Sequence, residues 1–180
     1  MRTTVIFTLI GVDRVGIVEE ATRLLLARGG NVENSRMARL GGWFAMLMLV
    51  SVPADQSAAL EQDLQQLNAR GYQVMLRPAE PTPALPYADW PVFQIDVRGA
   101  DHEGIVHDIA HYLAQRGINI ESMDTAVTAA PMSGAPLFIM TALVAVPPAL
   151  AGQEWQPALY EVAKRLNVDV RVSPARRSDA

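Results

Sequence analysis

Short segments of alternating or continuous apolar positions mark the strands of this chain. The segment from Val92 to Arg98 alternates strictly between apolar and polar residues, as in a strand that has one face toward solvent. The segment from Thr3 to Ile10 is rich in β-branched and aromatic residues and also predicts a strand. Two further strands are predicted from Asn31 to Leu40 and from Trp43 to Val52. The pair Gly41-Gly42 between them suits a tight hairpin, because glycine adopts a positive φ without steric cost.

Apolar residues at helical spacing predict a helix after the first strand in each half of the chain. These helices are expected to end at Gly29 and Gly117, since glycine commonly follows a helix C-terminus. A helix and a strand then close each half: Gln56 to Arg70 and Tyr72 to Arg77, and later Gln153 to Leu166 and Val168 to Val172.

The two halves of the chain are copies of one another. A shift of 88 residues (99 − 11) places Gly99 to Val106 over Gly11 to Val18, and five of these eight positions are identical. The same shift aligns Gly117 to Glu121 with Gly29 to Glu33. Farther on the shift becomes 94, so six residues (94 − 88) are inserted around Ala130 to Gly134, which predicts a longer loop.

We therefore predict an α+β protein of two ferredoxin-like domains. Each domain has the element order βαββαβ, which folds as a four-stranded antiparallel sheet with two helices on one face. The first domain is expected at residues 1–78 and the second at residues 92–174. Residues 79–91 are rich in proline and predict a stiff linker, and residues 175–180 form a polar tail.

The strand from Trp43 to Val50 is apolar on both faces, and this pattern has two interpretations. The strand is either the central strand of its sheet, or the helix-free face of the first domain packs on a second sheet or chain. The second interpretation predicts a homo-oligomer.

Composition and charge narrow the classes of function. Half of the chain (50%) is hydrophobic and 19% is charged, as in a globular protein. A net charge of −4 argues against direct nucleic-acid binding, and the adjacent pair Arg176-Arg177 lies in the polar tail. The chain contains no cysteine, which excludes thiolate chemistry and suits a cytoplasmic protein.

The sequence also argues against secretion and membrane insertion. The apolar run near the N-terminus is short and contains threonines, and Asp13 and Arg14 follow it without a small-residue cleavage site. No apolar run approaches the roughly 20 residues of a membrane-spanning helix. A cytoplasmic location is therefore expected.

Two motifs connect this organisation to a known family. They are the loop Asp13-Arg14-Val15-Gly16-Ile17-Val18 and the segment Asn31-Val32-Glu33-Asn34-Ser35 that opens the next strand. With the strand and helix around them they resemble the ACT domain, a small amino-acid-sensing module of metabolic regulation. The resemblance covers about residues 3–77 and 92–173. The tandem of two such domains resembles the glycine cleavage system transcriptional repressor family.

The resemblance implies a ligand site at the junction of two domains. In the family this site lies between the first loop of one domain and the start of the second strand of its neighbour. At position 15 the family often has proline where this chain has Val15. The implied ligand residues are Asp13, Arg14, Gly16, Ile17 and Val18 with Asn119, and Asp101, His102, Gly104, Ile105 and Val106 with Asn31.

The chemistry of these positions suits an amino acid. The first backbone N–H groups of a helix are unpaired and lie at its positive end, where a carboxylate binds. Asp13 or Asp101 would take the ammonium group, and the side-chain amide of Asn31 or Asn119 would bridge both ends. As alternatives, the aspartate caps the helix and the asparagine only initiates a strand. The negative charge of Glu103 makes the second site the weaker one.

The histidines of the second half do not predict a metal site or a catalytic site. His107 and His111 are one helical turn apart, as in a metal pair, but no third ligand is evident and a solvated face explains them. His102 lies beside Asp101 without a nucleophile motif or carboxylate cluster to serve. We therefore predict no catalytic residue, no metal and no cofactor.

Together these features predict a non-catalytic sensor of a small amino acid, with glycine as the leading ligand. It would regulate transcription through a protein partner such as a transcription activator, without binding DNA directly. The alternative is a stand-alone regulatory subunit of an amino-acid or folate-pathway enzyme, since ACT domains also precede formyltetrahydrofolate deformylase catalytic domains. Domain pairing within one chain and between chains are both open.

Overall fold

The computed structural model describes residues 1–79, 86–130, 134–152 and 155–176. The chain divides into two units, Met1–Pro83 and Ala84–Ala180, here named domain 1 and domain 2. Each contains a four-stranded antiparallel sheet with helices on one face, which confirms the predicted α+β, ferredoxin-like fold.

Domain 1 follows the predicted order βαββαβ. Its elements are β1 (Arg2–Val12), α1 (Ile17–Ala27), β2 (Asn31–Leu40), β3 (Trp43–Pro53), α2 (Ser57–Gln65) and β4 (Gln73–Pro78). The strand order is β2-β3-β1-β4, so β3 and β1 are central. Alternate residues of these two strands, such as the paired Phe7 and Met48, are buried beneath the helices. The core of domain 1 includes Val5, Phe7, Leu9, Leu25, Met48, Leu60 and Leu64.

Domain 2 repeats this arrangement with one added element. Its elements are β5 (Val92–Ala100), α3 (Ile105–Gln115), β6 (Asn119–Ala129), β7 (Pro136–Ala145), α4 (Pro148–Ala151), α5 (Trp155–Arg165) and β8 (Val168–Ala175). The strand order is β6-β7-β5-β8. The core includes Ile95, Ile105, Ile109, Leu113, Met140 and Leu159.

Glycines mark the turns that the sequence predicted. Gly41 and Gly42 have φ values of 57° and 82° in the hairpin between β2 and β3. Gly29 and Gly117 follow α1 and α3 with φ values of 67° and 65°, as in a helix C-terminal motif. The helices themselves stop two residues earlier, at Ala27 and Gln115.

The second helix of domain 1 is shorter than predicted. Its α-helical part is Ser57–Gln65, and the short 3₁₀ turns Ala54–Gln56 and Asn68–Arg70 flank it. The segment closes at Gly71, whose φ of 89° is the left-handed conformation that commonly ends a helical segment, and the side-chain oxygen of Asn68 accepts a hydrogen bond from the backbone N–H of Val74 at 3.0 Å.

In domain 2, the prediction missed α4 and extended α5 too far. The short helix α4 starts at Pro148, where proline suits the first helical position. Helix α5 is described from Trp155, and the predicted start at Gln153 lies outside the described residues. It ends at Arg165, because Asn167 takes a left-handed conformation with a φ of 52° in the turn before β8.

β3 is a central strand, as the first interpretation expects, and this position covers only the face of the strand under the helices. Met48 and Val50 are buried under the helices, whereas Trp43 and Leu47 on the other face are 51% and 49% exposed. Ile10 of β1 is also on that face and is 43% exposed. Oligomerisation through this face stays a prediction.

Several predicted segments lie outside the described residues. These are residues 80–85 of the linker, 131–133 of the inserted loop and 177–180 of the tail. The domain limits 1–78 and 92–174 stay predictions. Among the described residues, no helix has the length and apolar character that a membrane crossing requires.

Candidate functional site

Loop 1, residues 13–18, connects the end of β1 to the first turn of α1. Gly16 immediately precedes the helix with a φ of 92°, a left-handed conformation that favours glycine. Its carbonyl accepts the hydrogen bond from the Glu20 N–H at 2.9 Å. In the part of the chain that the structure describes, no side chain caps α1. The first N–H groups of α1 therefore have no side-chain acceptor, which suits a small anion.

Asp13 does not cap α1, so the capping role considered as an alternative is wrong. Its backbone N–H donates to the Gly42 carbonyl at 2.9 Å, which places it beside the β2–β3 hairpin. Its carboxylate Oδ2 lies 3.8 Å from Nε of Arg39, whose side chain is 71% exposed. An ion pair this long and this exposed is weak, and it leaves the carboxylate available to an ammonium group.

Arg14 is held by contacts within domain 1. Its guanidinium donates to the carboxylate of Glu20, which is 6% exposed, and lies 5.5 Å from the centre of the Tyr72 ring. Arg70, at the end of the 3₁₀ turn before β4, donates to the other oxygen of Glu20. Direct contact of Arg14 with a ligand would require these bonds to rearrange, and this role stays a prediction.

Glu20 is the residue that sequence reasoning missed. It lies on α1 beside the buried Ile17 and Ala21, and a carboxylate in a buried stripe needs partners of opposite charge. That local signal was available in the sequence. The identity of Arg70 as a partner was not, because 50 positions separate it from Glu20.

Loop 2, residues 101–106, has the same backbone design in domain 2. Gly104 precedes α3 with a φ of 95°, and its carbonyl accepts from the Asp108 N–H at 2.9 Å. Within the described ranges no side chain caps α3 either, so Asp101 is not its cap. The Asp101 N–H donates to the Pro136 carbonyl at 3.1 Å. Glu103 is exposed in this loop, so its charge remains the reason to expect the weaker site here.

In each loop the isoleucine is buried and the valine that follows it is exposed. Ile17 and Ile105 are buried, at 3% and 1% exposure, and pack into their domain cores. Val18 and Val106 are 38% and 39% exposed. A ligand at either loop would therefore meet the valine side chain, and it would meet the isoleucine only through the backbone.

His102 uses both ring nitrogens within domain 2. Nδ1 lies 2.9 Å from the carbonyl oxygen of Glu103, and Nε2 lies 2.7 Å from that of Leu166. The carbonyl of Leu166, then that of Glu103, and then the charges of Asp101 and Asp108 raise the pKa of His102, while burial lowers it. His102 therefore keeps its proton to a higher pH than a free imidazole does, and the direct ligand contact predicted for His102 would require one of these bonds to break.

Asn31 and Asn119 begin β2 and β6 and are each followed by a β-bulge. The register shifts between Val32 and Asn34 in domain 1, and between Ile120 and Ser122 in domain 2. A bulge bends its strand and redirects nearby side chains, and bulges are frequent beside binding sites. The repeated bulge was not predicted, although its extra residue coincides with the matched glutamates of the two copies.

Within one domain the loop and the asparagine lie at opposite ends of the sheet. Asn31 pairs with Ser51, which pairs with Thr4 near the start of β1, whereas loop 1 follows the end of β1. Eight residues of strand separate Thr4 from Val12, or roughly 26 Å at about 3.3 Å per residue. Asn119 and loop 2 are separated in the same way along β5. A ligand at a loop therefore cannot reach the asparagine of the same domain.

The two histidines of α3 show no sign of a metal site. The rings of His107 and His111 stack with centres 5.9 Å apart, and Gln115 contacts the Nε2 atom of His111 at 2.9 Å. No group of three His, Cys, Asp or Glu side chains that could hold a metal occurs among the residues described.

A cleft in domain 2 lies outside both loops. It has a volume of about 450 Å³ and is lined by residues that include Arg98, Tyr160, Lys164 and Asp169. The lining carries both signs of charge beside the C-terminal end of α5. None of the predicted ligand residues lines this cleft.

Parts of this chain are similar in sequence to known proteins. A family model described as the ACT domain matches residues 3–75. A glycine cleavage system transcriptional repressor of Escherichia coli (strain K12) is 36% identical over 100 residues, which are 54% of this chain and 52% of that protein. The chain thus matches about half the length of such curated relatives.

Two solved structures match nearly the whole chain. An unknown protein from Galdieria sulphuraria is 35% identical, with a TM-score of 0.84 over 98% of this chain and 100% of that one. A solved candidate for a glycine cleavage system transcriptional repressor is 22% identical, with a TM-score of 0.71 over 98% of this chain and 99% of its own. At that identity the second likeness shows the fold alone.

Proposed function

We propose that this chain is a non-catalytic regulator built from two ACT domains, since an ACT-domain model matches residues 3–75 and domain 2 repeats the fold of domain 1. It binds a small amino acid and passes the bound state to a protein partner. Glycine is the leading ligand, because similar proteins include a glycine cleavage system transcriptional repressor. We also propose that the protein is located in the cytoplasm.

The observation that carries this proposal is the repeated helix start. Both α1 and α3 begin after a left-handed glycine and are without a side-chain cap in the described residues. A bound carboxylate would accept from the first N–H groups at the positive end of the helix. The absence of a Cβ at Gly16 and Gly104 allows the ligand to approach the backbone closely.

The ammonium group of the ligand needs a nearby acceptor. Asp13 and Asp101 follow the last residues of β1 and β5 and precede the helix starts, Ile17 and Ile105, by four positions. Neither aspartate caps its helix, so neither carboxylate accepts a hydrogen bond from the first N–H groups of α1 or α3. The helix N–H groups would bind the carboxylate of an amino acid, and the aspartate would bind its ammonium group.

The asparagine that completes the site would come from a different domain. Loop 1 cannot reach Asn31 within its own domain, because the two lie at opposite ends of the sheet. We therefore propose pairs of Asp13 with Asn119 and of Asp101 with Asn31, or the corresponding pairs between two copies of the chain. Binding at such a site would depend on how the domains are arranged, which is how the bound state becomes a signal.

The partner in this proposal is a protein. A net charge of −4 opposes the approach of a nucleic-acid backbone, so direct DNA recognition is disfavoured. A transcription activator is the expected partner class, since the curated relative is a transcriptional repressor. Affinity purification of the tagged chain with and without glycine tests this step. Ligand-dependent recovery of a transcription factor supports it, and recovery of an enzyme subunit contradicts it.

A thermal-shift screen of the full chain with each of the twenty amino acids tests ligand binding. A ligand at about 100 times its Kd stabilises the folded state by roughly 2.7 kcal/mol, which raises Tm measurably. Acetate and methylamine are the controls, because each carries one of the two charges of glycine. A shift with an amino acid but not with the controls is expected. If none of the twenty shifts Tm at millimolar concentration, the proposed function is wrong.

A further inference from the structure

Arg14 and His102 occupy the same position of the two loops (102 − 14 = 88) but are held differently. Arg14 binds the carboxylate of Glu20, so its contact is an ion pair. His102 binds two uncharged carbonyl oxygens, at 2.9 Å and 2.7 Å. The second of these belongs to Leu166, in the turn between α5 and β8. His102 therefore connects loop 2 to the turn that precedes the last strand.

The two contacts of His102 require a proton on each ring nitrogen. A carbonyl oxygen only accepts hydrogen bonds, and a neutral imidazole has one donor nitrogen and one acceptor nitrogen. Only the imidazolium can donate to Glu103 and Leu166 at once. After deprotonation, one nitrogen lone pair would face a carbonyl lone pair, and that contact would become repulsive.

The acceptor turn is fixed in place against β5. A Cβ atom on Gly99 would lie 3.0 Å from the carbonyl oxygen of Asn167 and 2.6 Å from a methyl group of Val168. Asn167 also has the left-handed φ of 52° that shapes this turn. Because the turn is closely packed, we expect loop 2, and not the turn, to move if the contact with Leu166 breaks.

The acidic groups near His102 favour its protonation, whereas the positive charges of Lys164 and Arg165 have the opposite effect. Asp101 and Glu103 lie in the same loop, Asp108 lies on α3, and Lys164 and Arg165 form the last turn of α5. The negative charges of Asp101 and Asp108 add to the two carbonyl contacts, and together they raise the pKa of His102 above 6.5. Asp108 aligns with Glu20 (108 − 88 = 20) but is exposed, so the position equivalent to Glu20 does not supply a buried carboxylate in domain 2.

We propose that His102 is a positioning residue that acts as a proton-dependent latch on loop 2. Protonated His102 holds the loop against the α5–β8 turn, and neutral His102 releases it. The latch is complete below the ordinary His pKa of 6.5 and is lost as pH rises through the higher value of the folded protein. Loop 1 has no such dependence near neutral pH, because an arginine keeps its charge. The effect of the latch on ligand binding rests on the proposed function, but the latch itself does not.

Hydrogen–deuterium exchange of the full chain across pH 5.5 to 9 tests the latch without any ligand. The readout is the protection of residues 100–108, corrected for the intrinsic exchange rate at each pH, with residues 12–20 as the internal control. NMR titration of the His102 ring gives the midpoint. The expected result is a protection loss of roughly three- to tenfold, the effect of losing about one hydrogen bond, centred on that midpoint and absent from residues 12–20.

Two variants separate the latch from a general loss of structure. His102→Gln should have low protection of loop 2 at every pH, whereas His102→Arg, which keeps a charged donor beside the carbonyls of Glu103 and Leu166, should keep protection to high pH. His107→Gln, a change on the same helix α3, should behave as wild type. Wild-type protection in His102→Gln at pH 5.5, or titration of His102 at or below its ordinary pKa, would overturn the proposal.

Glycine titrations at pH 6 and pH 9 then connect the latch to ligand binding. The control is His102→Arg, in which any glycine affinity should vary less with pH than in wild type. If glycine binds with the same pH dependence in both proteins, the latch does not govern the site and that half of the inference is wrong. If none of the twenty amino acids binds at either pH, the proposed function fails while the exchange result still decides the latch.

Discussion

Arg14 donates a hydrogen bond to the nearly buried carboxylate of Glu20, and this ion pair joins loop 1 to the helix that it precedes. Arg70 binds the same carboxylate from the turn before β4. One acidic residue thus holds three parts of domain 1 together at the edge of the candidate site. The arrangement gives loop 1 a fixed shape before any ligand binds, which lowers the ordering cost of binding.

Replacement of Glu20 by glutamine should destabilise domain 1. The neutral amide would leave two arginines without a counter-charge, although both are partly exposed and remain hydrated. We expect a loss of about 1–2 kcal/mol in the free energy of unfolding, measured by urea denaturation. The control is Glu19→Gln, since Glu19 is 71% exposed and pairs with Arg23 at 3.5 Å. Equal effects of the two changes would show that the buried ion pair contributes nothing.

The sequence predicted the frame of each domain because the signals for it are local and repeated. The alternation from Val92 to Arg98 and the hairpin glycines each specify an element without reference to distant residues, and the 88-residue repeat shows that the element order occurs twice. The contacts of Glu20 with Arg70 and of His102 with Leu166 join residues 50 and 64 positions apart. Such contacts depend on how the elements pack, so the sequence alone did not reveal them.

Replacement of Gly16 by alanine should strain the turn that begins α1. The φ of 92° at Gly16 is a conformation that a residue with a Cβ rarely adopts, so we expect a loss of about 1–2 kcal/mol in stability. Gly152→Ala is the matched control, because Gly152 has a φ of −101° and no atom within 4 Å of the added Cβ. Urea denaturation of both variants measures the difference. A Gly16→Ala protein as stable as Gly152→Ala would contradict the strained turn.

Replacement of Gly99 by alanine should destabilise domain 2 through overpacking. The added Cβ would lie 2.6 Å from the Val168 side chain and 3.0 Å from the Asn167 carbonyl, so β5 and β8 would have to separate. We expect a loss of roughly 2 kcal/mol in the free energy of unfolding. The unfolding of domain 2 can be followed by the fluorescence of Trp155, which is buried in its core, in a background in which Trp43 and Trp90 are replaced by phenylalanine. Gly99→Ser at the same position should have a similar or larger effect, and neutrality of both changes would refute the close approach.

Asp63 should make the stability of domain 1 depend on acid pH. Arg28 donates to its carboxylate at 2.6 Å, and this hydrogen bond holds the pKa of Asp63 below 3.8. The contribution is therefore complete above the unfolded pKa and is lost as pH falls through the lower, folded value. Asp63→Asn should flatten the decline of Tm below about pH 4. Glu61→Gln, an exposed change on the same helix, should leave that decline as in wild type.

The most direct test of the proposed sensor is a double-mutant cycle on ligand binding. Isothermal titration with the amino acid that gives the largest thermal shift compares wild type, Asp13→Ala, Asn119→Ala and the double variant. Asp55→Ala, an exposed carboxylate that follows β3, is the control and should bind as wild type. A parallel cycle pairs Asp13 with Asn31, which detects a site formed between two copies of the chain.

We predict that Asp13 and one of the two asparagines share the ligand. Each single change should then weaken binding, and the double change should lose less than the sum of the two, with a coupling of about 0.5–3 kcal/mol. Unchanged Tm values without ligand would show that the variants are folded. Full additivity of Asp13 with both Asn119 and Asn31 would contradict a site shared between the first loop of one domain and the second strand of another.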